Sequence, residues 1–125
     1  MSIQLDTVGI IVKDMGKALA FYRTLGLAIP EGNEGEPNVE FTDSNGLTLG
    51  FLTEEMAHQA DAKRQKHVGQ SMNLQFKCDS PDKVNAVHAK LIAAGYEDYQ
   101  EPWDAFWGQR FARIKDADGN IVNIF

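Results

Sequence analysis

The sequence predicts an α+β fold built from two copies of one strand–helix–strand–strand–strand module. Two observations predict it. In each half, an alternating apolar segment is followed by an amphipathic helix that ends at a glycine, Gly26 or Gly95. In each half a turn glycine then follows at a similar distance, Gly46 in the first and Gly119 in the second.

The first module opens with a strand candidate, Gln4–Lys13, in which apolar residues occupy both alternating positions. This pattern predicts burial on both faces. Asp14 is placed to cap a helix whose apolar residues recur at helical spacing as far as Leu25. Gly26 then suits the left-handed stop after the last turn, and residues Pro30–Pro37 predict a loop rich in Gly and Glu.

A hairpin and a connector complete the first half. Val39–Thr42 and Leu47–Leu52 are strand candidates on either side of Asn45-Gly46, residues that tolerate positive φ. The polar segment 54–66 predicts a helical connector. The predicted organisation is a single domain, 1–125, with module one 1–53, connector 54–70 and module two 71–125.

The second half repeats the pattern. Met72–Cys78 alternates as a strand, and Ser80 with Pro81 predicts the start of a helix that Gly95 ends. The remaining strand candidates are Tyr96–Gln100, Arg110–Lys115 and Ile121–Phe125, with Pro102–Gly108 as a loop and Asp118-Gly119 as a turn.

Composition excludes several classes of partner. The 125 residues carry 12 Lys+Arg against 18 Asp+Glu, a net charge of −6, which argues against binding nucleic acid or an anionic membrane. Two stretches, 24–62 and 91–109, hold acids and no Lys or Arg, so a region where they meet would favour cationic ligands; the other interpretation of these acids is a solvated, solubilising surface. The single cysteine, Cys78, and the lack of signal-peptide features in residues 1–6 predict a cytoplasmic protein.

Four motifs resemble a known superfamily over nearly the whole chain: Val8–Met15, Ala20–Leu27, Trp107–Arg110 and Asp116–Ile121. Together they resemble the vicinal-oxygen-chelate superfamily of glyoxalase I, extradiol dioxygenases, fosfomycin-resistance enzymes and bleomycin-resistance proteins. The resemblance implies that each βαβββ module curls its part of a mixed sheet into a half-bowl, with helices on the outer face. Two half-bowls then form one cleft, and short members of the family build such clefts across a homodimer.

The resemblance also implies where the family's metal enzymes place their ligands. Those four slots fall at Thr7, Gly50, Asn73 and Asn123, and none of them is a histidine or a carboxylate. Divalent metals prefer imidazole, thiolate or carboxylate ligands, because neutral amides and hydroxyls bring no charge. We therefore predict no metal, no cofactor and no catalytic residue.

The three histidines and the single cysteine are interpreted as structural residues. His58 and His67 lie in the polar connector and His88 in the second helix, all interpreted as surface or boundary residues; His67, closest to a cleft strand, is the best candidate among them for a function. Cys78 shares a strand face with Leu74, which predicts a packed thiol rather than a nucleophile.

Without a metal, the cleft is a binding surface. The polar residues that share a strand face with the four implied ligand slots either bind a polar ligand or form hydrogen bonds with one another. Glu40 either points into the cleft or is an exposed strand residue. Aromatic residues of the Pro102–Gly108 loop suit stacking on a planar or cationic ligand, whereas Arg110 pairs with an anionic group or with Asp104. The predicted ligand-binding residues are Thr7, Glu40, Gly50, Asn73, Gln75, Trp103, Phe106, Trp107, Arg110 and Asn123.

Three functions follow. The first is a metal-free protein, resembling bleomycin-resistance proteins and hence linked to antibiotic resistance, that sequesters a polar, cationic aromatic molecule in a dimer cleft. The second is a metal-dependent lyase or dioxygenase of the same superfamily, which is the reaction class expected if the protein is an enzyme. The third is a non-catalytic interaction or regulatory module.

Overall fold

The computed structural model describes residues 3–66 and 68–125. Its elements, in chain order, are β1 Thr7–Val12, α1 Met15–Leu25, β2 Asn38–Thr42, β3 Thr48–Thr53, α2 Glu54–Ala60, β4 Leu74–Phe76, α3 Pro81–Ala93, β5 Asp98–Asp104, β6 Arg110–Lys115 and β7 Ile121–Ile124. They form a first sheet of order β1-β3-β2 and a second of order β4-β7-β6-β5. Within the part of the chain so described, no helix is long and apolar enough to cross a membrane.

The α+β class is confirmed, and the first module differs from the second by one strand. The second module is β4-α3-β5-β6-β7, whereas no strand separates α1 from β2 in the first. Between α1 and β2 the chain is a loop that the Arg23 side chain binds, donating from Nε to the Ile29 carbonyl (3.0 Å) and from Nη2 to Asn33 Oδ1 (2.9 Å). Because the guanidinium binds this Gly- and Pro-rich segment, it stays a loop and leaves β2 at the edge of the sheet.

The predicted helix signals are confirmed. The Asp14 side chain accepts a hydrogen bond from the Lys17 amide (2.9 Å), and Gly26 ends α1 with φ 132°. The Ser80 side chain accepts from the Lys83 amide (3.2 Å) at the start of α3. These caps satisfy amides that a helix cannot satisfy internally.

The connector helix is shorter than predicted. It was expected over 54–66 and ends at Ala60, because the Asp61 side chain accepts from the Lys63 amide (3.0 Å) and turns the chain. Thr53 caps its start.

Each sheet has one face in the core with α1 and α3, here called its closed face, and an opposite open face, which in the first sheet carries α2 at one end. In the first sheet Ile10 pairs with Phe51 on the closed face, while Ile11 pairs with Leu52 on the open face. The prediction that both faces of β1 are buried was wrong, since Ile11 is 41% exposed. The reason is that α1 covers one face only, as in a sheet with a solvated side.

The predicted loop 102–108 was also partly wrong. Strand β5 continues to Asp104, with register shifts between Gln100 and Trp103. Strand β5 is an edge strand, so Pro102 lies in it without breaking an inner hydrogen-bond ladder. The turn is therefore confined to 105–109, where the Ala105 amide bonds to the Gln109 carbonyl (2.8 Å).

The two closed faces and helices α1 and α3 share one core. The fully buried Tyr22 of α1 contacts Phe51 of the first sheet and Phe76 of the second, with ring centroids 5.3 and 6.2 Å apart. Its hydroxyl donates to Asp116 Oδ2 (2.8 Å), a buried bond between residues 94 positions apart. The closed faces are thus interior, and both open faces lie on the outside of the chain.

The Tyr22–Asp116 bond predicts a loss of stability at high pH. Burial and the adjacent Asp116 carboxylate raise the pKa of the Tyr22 phenol far above its ordinary value of about 10. The folded state therefore keeps a proton that the unfolded state releases, so stability is full below about pH 10 and falls as pH rises above it. We expect Tyr22→Phe to lose about 1–2 kcal/mol at pH 7 and to lack this alkaline decline. Urea unfolding between pH 7 and 11 measures both effects, and an equal decline in the two proteins would contradict the assignment.

Candidate functional site

Three predicted ligand-binding residues meet on the open face of the first sheet. Gly50 pairs with Glu40 across the β2–β3 ladder, so both lie on one face. A Cβ built on Gly50 would come within 3.0 Å of Thr7 Cγ2 and 3.9 Å of Glu40 Cγ. The absence of a side chain at position 50 therefore leaves room for the Thr7 methyl group and the Glu40 side chain over the sheet, while the Thr7 hydroxyl donates to Asp6 Oδ2 (2.6 Å).

Helix α2 covers the other end of this face. Its Ala57 is only 4% exposed and faces Ile11 and Leu52. Together with the start of the following loop they line a cleft of about 530 Å³. The predicted helical connector thus covers one end of the first sheet's open face.

A buried amide lies on the open face of the second sheet. Asn123 of β7 pairs in register with Gln75 of β4 and Arg113 of β6, so the three side chains share that face. Asn123 is only 7% exposed, and its Oδ1 has no hydrogen-bond partner among the described residues. An unpartnered buried carbonyl is costly, about 1–3 kcal/mol, and marks a place where a missing group is expected.

An aromatic cluster lies on the same open face, around Phe111, which is two residues from Arg113 along β6. Trp103 pairs in register with Phe111, and the Trp107 ring packs edge-on against Trp103, Phe106 and Phe111 at 5.6, 4.9 and 5.1 Å. Phe106, at the hairpin tip, is 90% exposed. The Trp103 indole N–H is buried without a partner in the described chain, whereas that of Trp107 donates to Gln109 (2.8 Å). The cluster therefore offers aromatic surface and one unused donor.

Sequence reasoning missed Arg113 at this site. Its guanidinium lies over the Phe111 ring, 4.7 Å from the centroid, and its Nη1 donates to Gln100 Oε1. The sequence carries a signal for this residue, because the Asp118-Gly119 turn fixes the β6–β7 register that sets Arg113 opposite Asn123.

Two other predicted residues lie elsewhere. Arg110 is on the helix side of β6, where its guanidinium contacts Asp104 (3.2 Å) and Asn85 of α3 (2.9 Å). Of its two expected partners, the structure pairs it with Asp104. Asn73 is exposed and precedes β4.

The histidines and Cys78 lie outside this arrangement. His88, expected at the surface or boundary, is buried at 8% exposure, because its Nε2 lies 3.0 Å from Asp98 Oδ1 and ties α3 to β5. His58 is exposed, and His67 lies outside the described residues. Cys78 packs against the core as predicted, and burial raises the pKa of its thiol, which disfavours the nucleophilic thiolate.

The residues at the metal slots do not fit a divalent metal. Two carboxylates lie near the neutral Thr7 and Gly50 of the first sheet, Glu40 on the open face and Asp6, which accepts from the Thr7 hydroxyl, and the second sheet brings the neutral Asn123. Across residues 3–66 and 68–125, no three His, Cys, Asp or Glu side chains are grouped to hold a metal. A hydroxyl and amides supply weak ligands without the charge that such an ion requires.

Comparison with known proteins identifies the family. The sequence profile of the Glyoxalase/Bleomycin resistance protein/Dioxygenase superfamily matches residues 4–124, so the chain belongs to that superfamily. The uncharacterised protein YraH of Bacillus subtilis (strain 168) is 28% identical over 130 residues, covering 98% of each chain.

Solved structures share the fold. Hypothetical protein SA1046 from S. aureus superposes with a TM-score of 0.82 at 22% identity, covering 99% of this chain and 94% of that one. A glyoxalase/bleomycin resistance protein/dioxygenase family enzyme from Burkholderia phytofirmans PsJN gives 0.81 at 22% identity, covering 95% and 94%. A lactoylglutathione lyase from Agrobacterium tumefaciens gives 0.72 at 22% identity, covering 97% and 91%.

Proposed function

We propose that this protein is a cytoplasmic, metal-free binding protein that sequesters a small planar polar molecule without converting it. The observation that carries the proposal is Asn123 Oδ1, a buried acceptor without a described partner on the face that also carries the aromatic cluster. Trp103 Nε1 adds a buried donor on the same face. A ligand that satisfies both atoms and lies against the aromatic rings removes a cost that the free protein carries.

We further propose that the cleft forms across a homodimer. The two modules join through their closed faces, so the polar residues of the first sheet and those of the second lie on separate open faces. No hydrogen bond or aromatic contact in the described part of the chain joins Thr7 or Glu40 to Asn123. Pairing the first sheet of one protomer with the second sheet of its partner completes a cleft and covers exposed Ile11 and Trp107.

The alternatives are less well supported. A glyoxalase-like lyase or dioxygenase needs a metal that Thr7, Gly50 and Asn123 do not fit, and the lyase above shares only the fold at 22% identity. An interaction or regulatory module gives no reason for a buried polar atom to lack a partner at Asn123.

Replacing Asn123 with leucine tests the proposal through two effects of opposite sign. Leucine has a similar shape and no polar atom, so we expect Asn123→Leu to raise the free energy of unfolding by about 1 kcal/mol. The same change should weaken ligand binding about tenfold, because the ligand loses its acceptor. Urea unfolding gives the stability, and isothermal titration calorimetry with substituted naphthalenes gives the affinity.

Three outcomes measured on the protein without ligand would contradict the proposal. They are a stability that falls with Asn123→Leu, a stoichiometric metal that survives dialysis against chelator, and a monomer in light scattering at titration concentrations. A wild-type protein that binds no naphthalene of the acid, amide or ammonium series would also contradict it.

A further inference from the structure

We infer that the ligand of this site is an anion, an aromatic carboxylate that also carries a hydroxyl or amino group. The inference rests on the proposed function, and it names the class of molecule that the second sheet recognises. Three features of the open face carry it: an arginine without an acidic partner, the geometry that holds this arginine, and the unpartnered atoms beside it.

Arg113 is a half-buried cation whose charge is not balanced within the described chain. Arg23 and Arg110 each contact a carboxylate, Glu34 at 3.0 Å and Asp104 at 3.2 Å. No described carboxylate lies within 4.0 Å of Arg113. A partly buried charge without a counter-ion is unfavourable, so an anionic partner from outside the chain is favoured there.

The guanidinium is also held in a defined orientation. Phe111 supports its plane at 4.7 Å, and Gln100 accepts from Nη1. Nε and Nη2 make no hydrogen bond to described residues, so one edge of the fork is unused. Such an edge matches the two oxygens of a carboxylate, and its rigid support lowers the entropy lost on binding.

The two buried polar atoms without a described partner, Asn123 Oδ1 and Trp103 Nε1, define the rest of the ligand. Asn123, opposite Arg113 in the ladder, presents an acceptor, which calls for a donor on the ligand such as a hydroxyl or amino group. The buried N–H of Trp103 calls for an acceptor, and the rings of Trp107 and Phe111 favour a flat apolar body. A hydroxy- or amino-substituted aromatic acid provides all four groups.

This ligand has the opposite charge to the one that composition suggested. The acidic stretches favoured a cationic ligand where they meet, but along β6 and β7 the charged residues on the second sheet's open face are Arg113 and Lys115, and of these only Lys115 has a carboxylate partner, Glu97 at 3.1 Å. A cation placed against Phe111 would meet the Arg113 guanidinium. Net charge describes the whole surface, whereas affinity depends on the groups within a few ångströms.

Calorimetric titration with 6-hydroxy-2-naphthoate and its carboxamide tests the inference. Wild-type protein should bind the acid at least about tenfold more tightly than the amide. Arg113→Gln should remove this difference in affinity by weakening the binding of the acid alone. Arg113→Lys should keep only part of the difference, since an ammonium group lacks the planar fork. Arg110→Gln, on the other face of the same strand, should preserve it.

The outcomes separate the two proposals. Equal affinity for acid and amide in the wild type, or a preference removed by Arg110→Gln and kept by Arg113→Gln, would overturn the anionic ligand while leaving small-molecule binding intact. Absence of binding by the acid, the amide and the 2-naphthylmethylammonium ion would overturn the proposed function itself. Circular dichroism of each variant confirms that the comparison is made between folded proteins.

Discussion

Asp116→Ala is expected to lower the free energy of unfolding by about 3–5 kcal/mol, the largest effect of a single change predicted for this protein. Asp116 is buried and accepts from the Tyr22 hydroxyl (2.8 Å), the Asp118 amide (2.9 Å) and the Asn120 amide (2.8 Å). Alanine leaves these donors without a partner, inside the contact that joins the second module's hairpin to α1. Urea unfolding at pH 7 measures the loss.

Asp116→Asn is the matched control. It keeps an oxygen for the two backbone amides and a polar group for Tyr22, so it should cost less than half as much. A loss below about 1 kcal/mol for alanine would show that the Asp116 network does not hold the modules together. The motif Asp116–Ile121, which carried much of the family resemblance, is thus expected to act on the fold and not on the ligand.

Trp107→Ala is expected to weaken ligand binding by about thirtyfold or more, because large aromatic residues at the centre of a site dominate binding energy. The Trp107 ring is the one that contacts Trp103, Phe106 and Phe111, so its loss removes contact area and leaves its neighbours unsupported. Calorimetric titration with 6-hydroxy-2-naphthoate gives the ratio of dissociation constants.

Phe106→Ala provides the comparison within the same hairpin. Phe106 touches only Trp107 among the described aromatic rings and is 90% exposed, so its removal should change affinity less than about threefold. The reverse ranking, with Phe106 dominant and Trp107 minor, would mean that the hairpin tip and not the sheet face receives the ligand.

Local signals in the sequence were sufficient for the elements and for part of the site. Asp14, Gly26 and Ser80 act through hydrogen bonds or dihedral angles within a few residues, so their positions predicted helix ends that the structure confirms. The turn at Gly119 likewise fixed the pairing of β6 with β7 and hence the face on which Asn123 lies. Alternation along β3 and β4 similarly predicted faces for Gly50 and Gln75.

These local signals did not predict contacts between segments that are far apart in the sequence. Alternation defines two faces for β1 but cannot say which one α1 covers, and the exposed Ile11 shows the consequence. The absence of a strand before β2 depends on the Arg23 side chain binding the following loop. The extension of β5 through Pro102 depends on its edge position.

The sequence by itself determined the repeated module, the caps and turns that delimit it, and the neutral residue types at the positions where the resemblance implied metal ligands, because each depends on residue type or on neighbours along the chain. Only the tertiary structure decided that Asp116 accepts a hydrogen bond from Tyr22, 94 positions away, and that α2 covers one end of the first sheet's open face. It also decided that Arg113 lies opposite Asn123 with no carboxylate partner among the described residues. These features arise from which surfaces are buried together, and burial alone sets the cost of an unpaired charge or carbonyl.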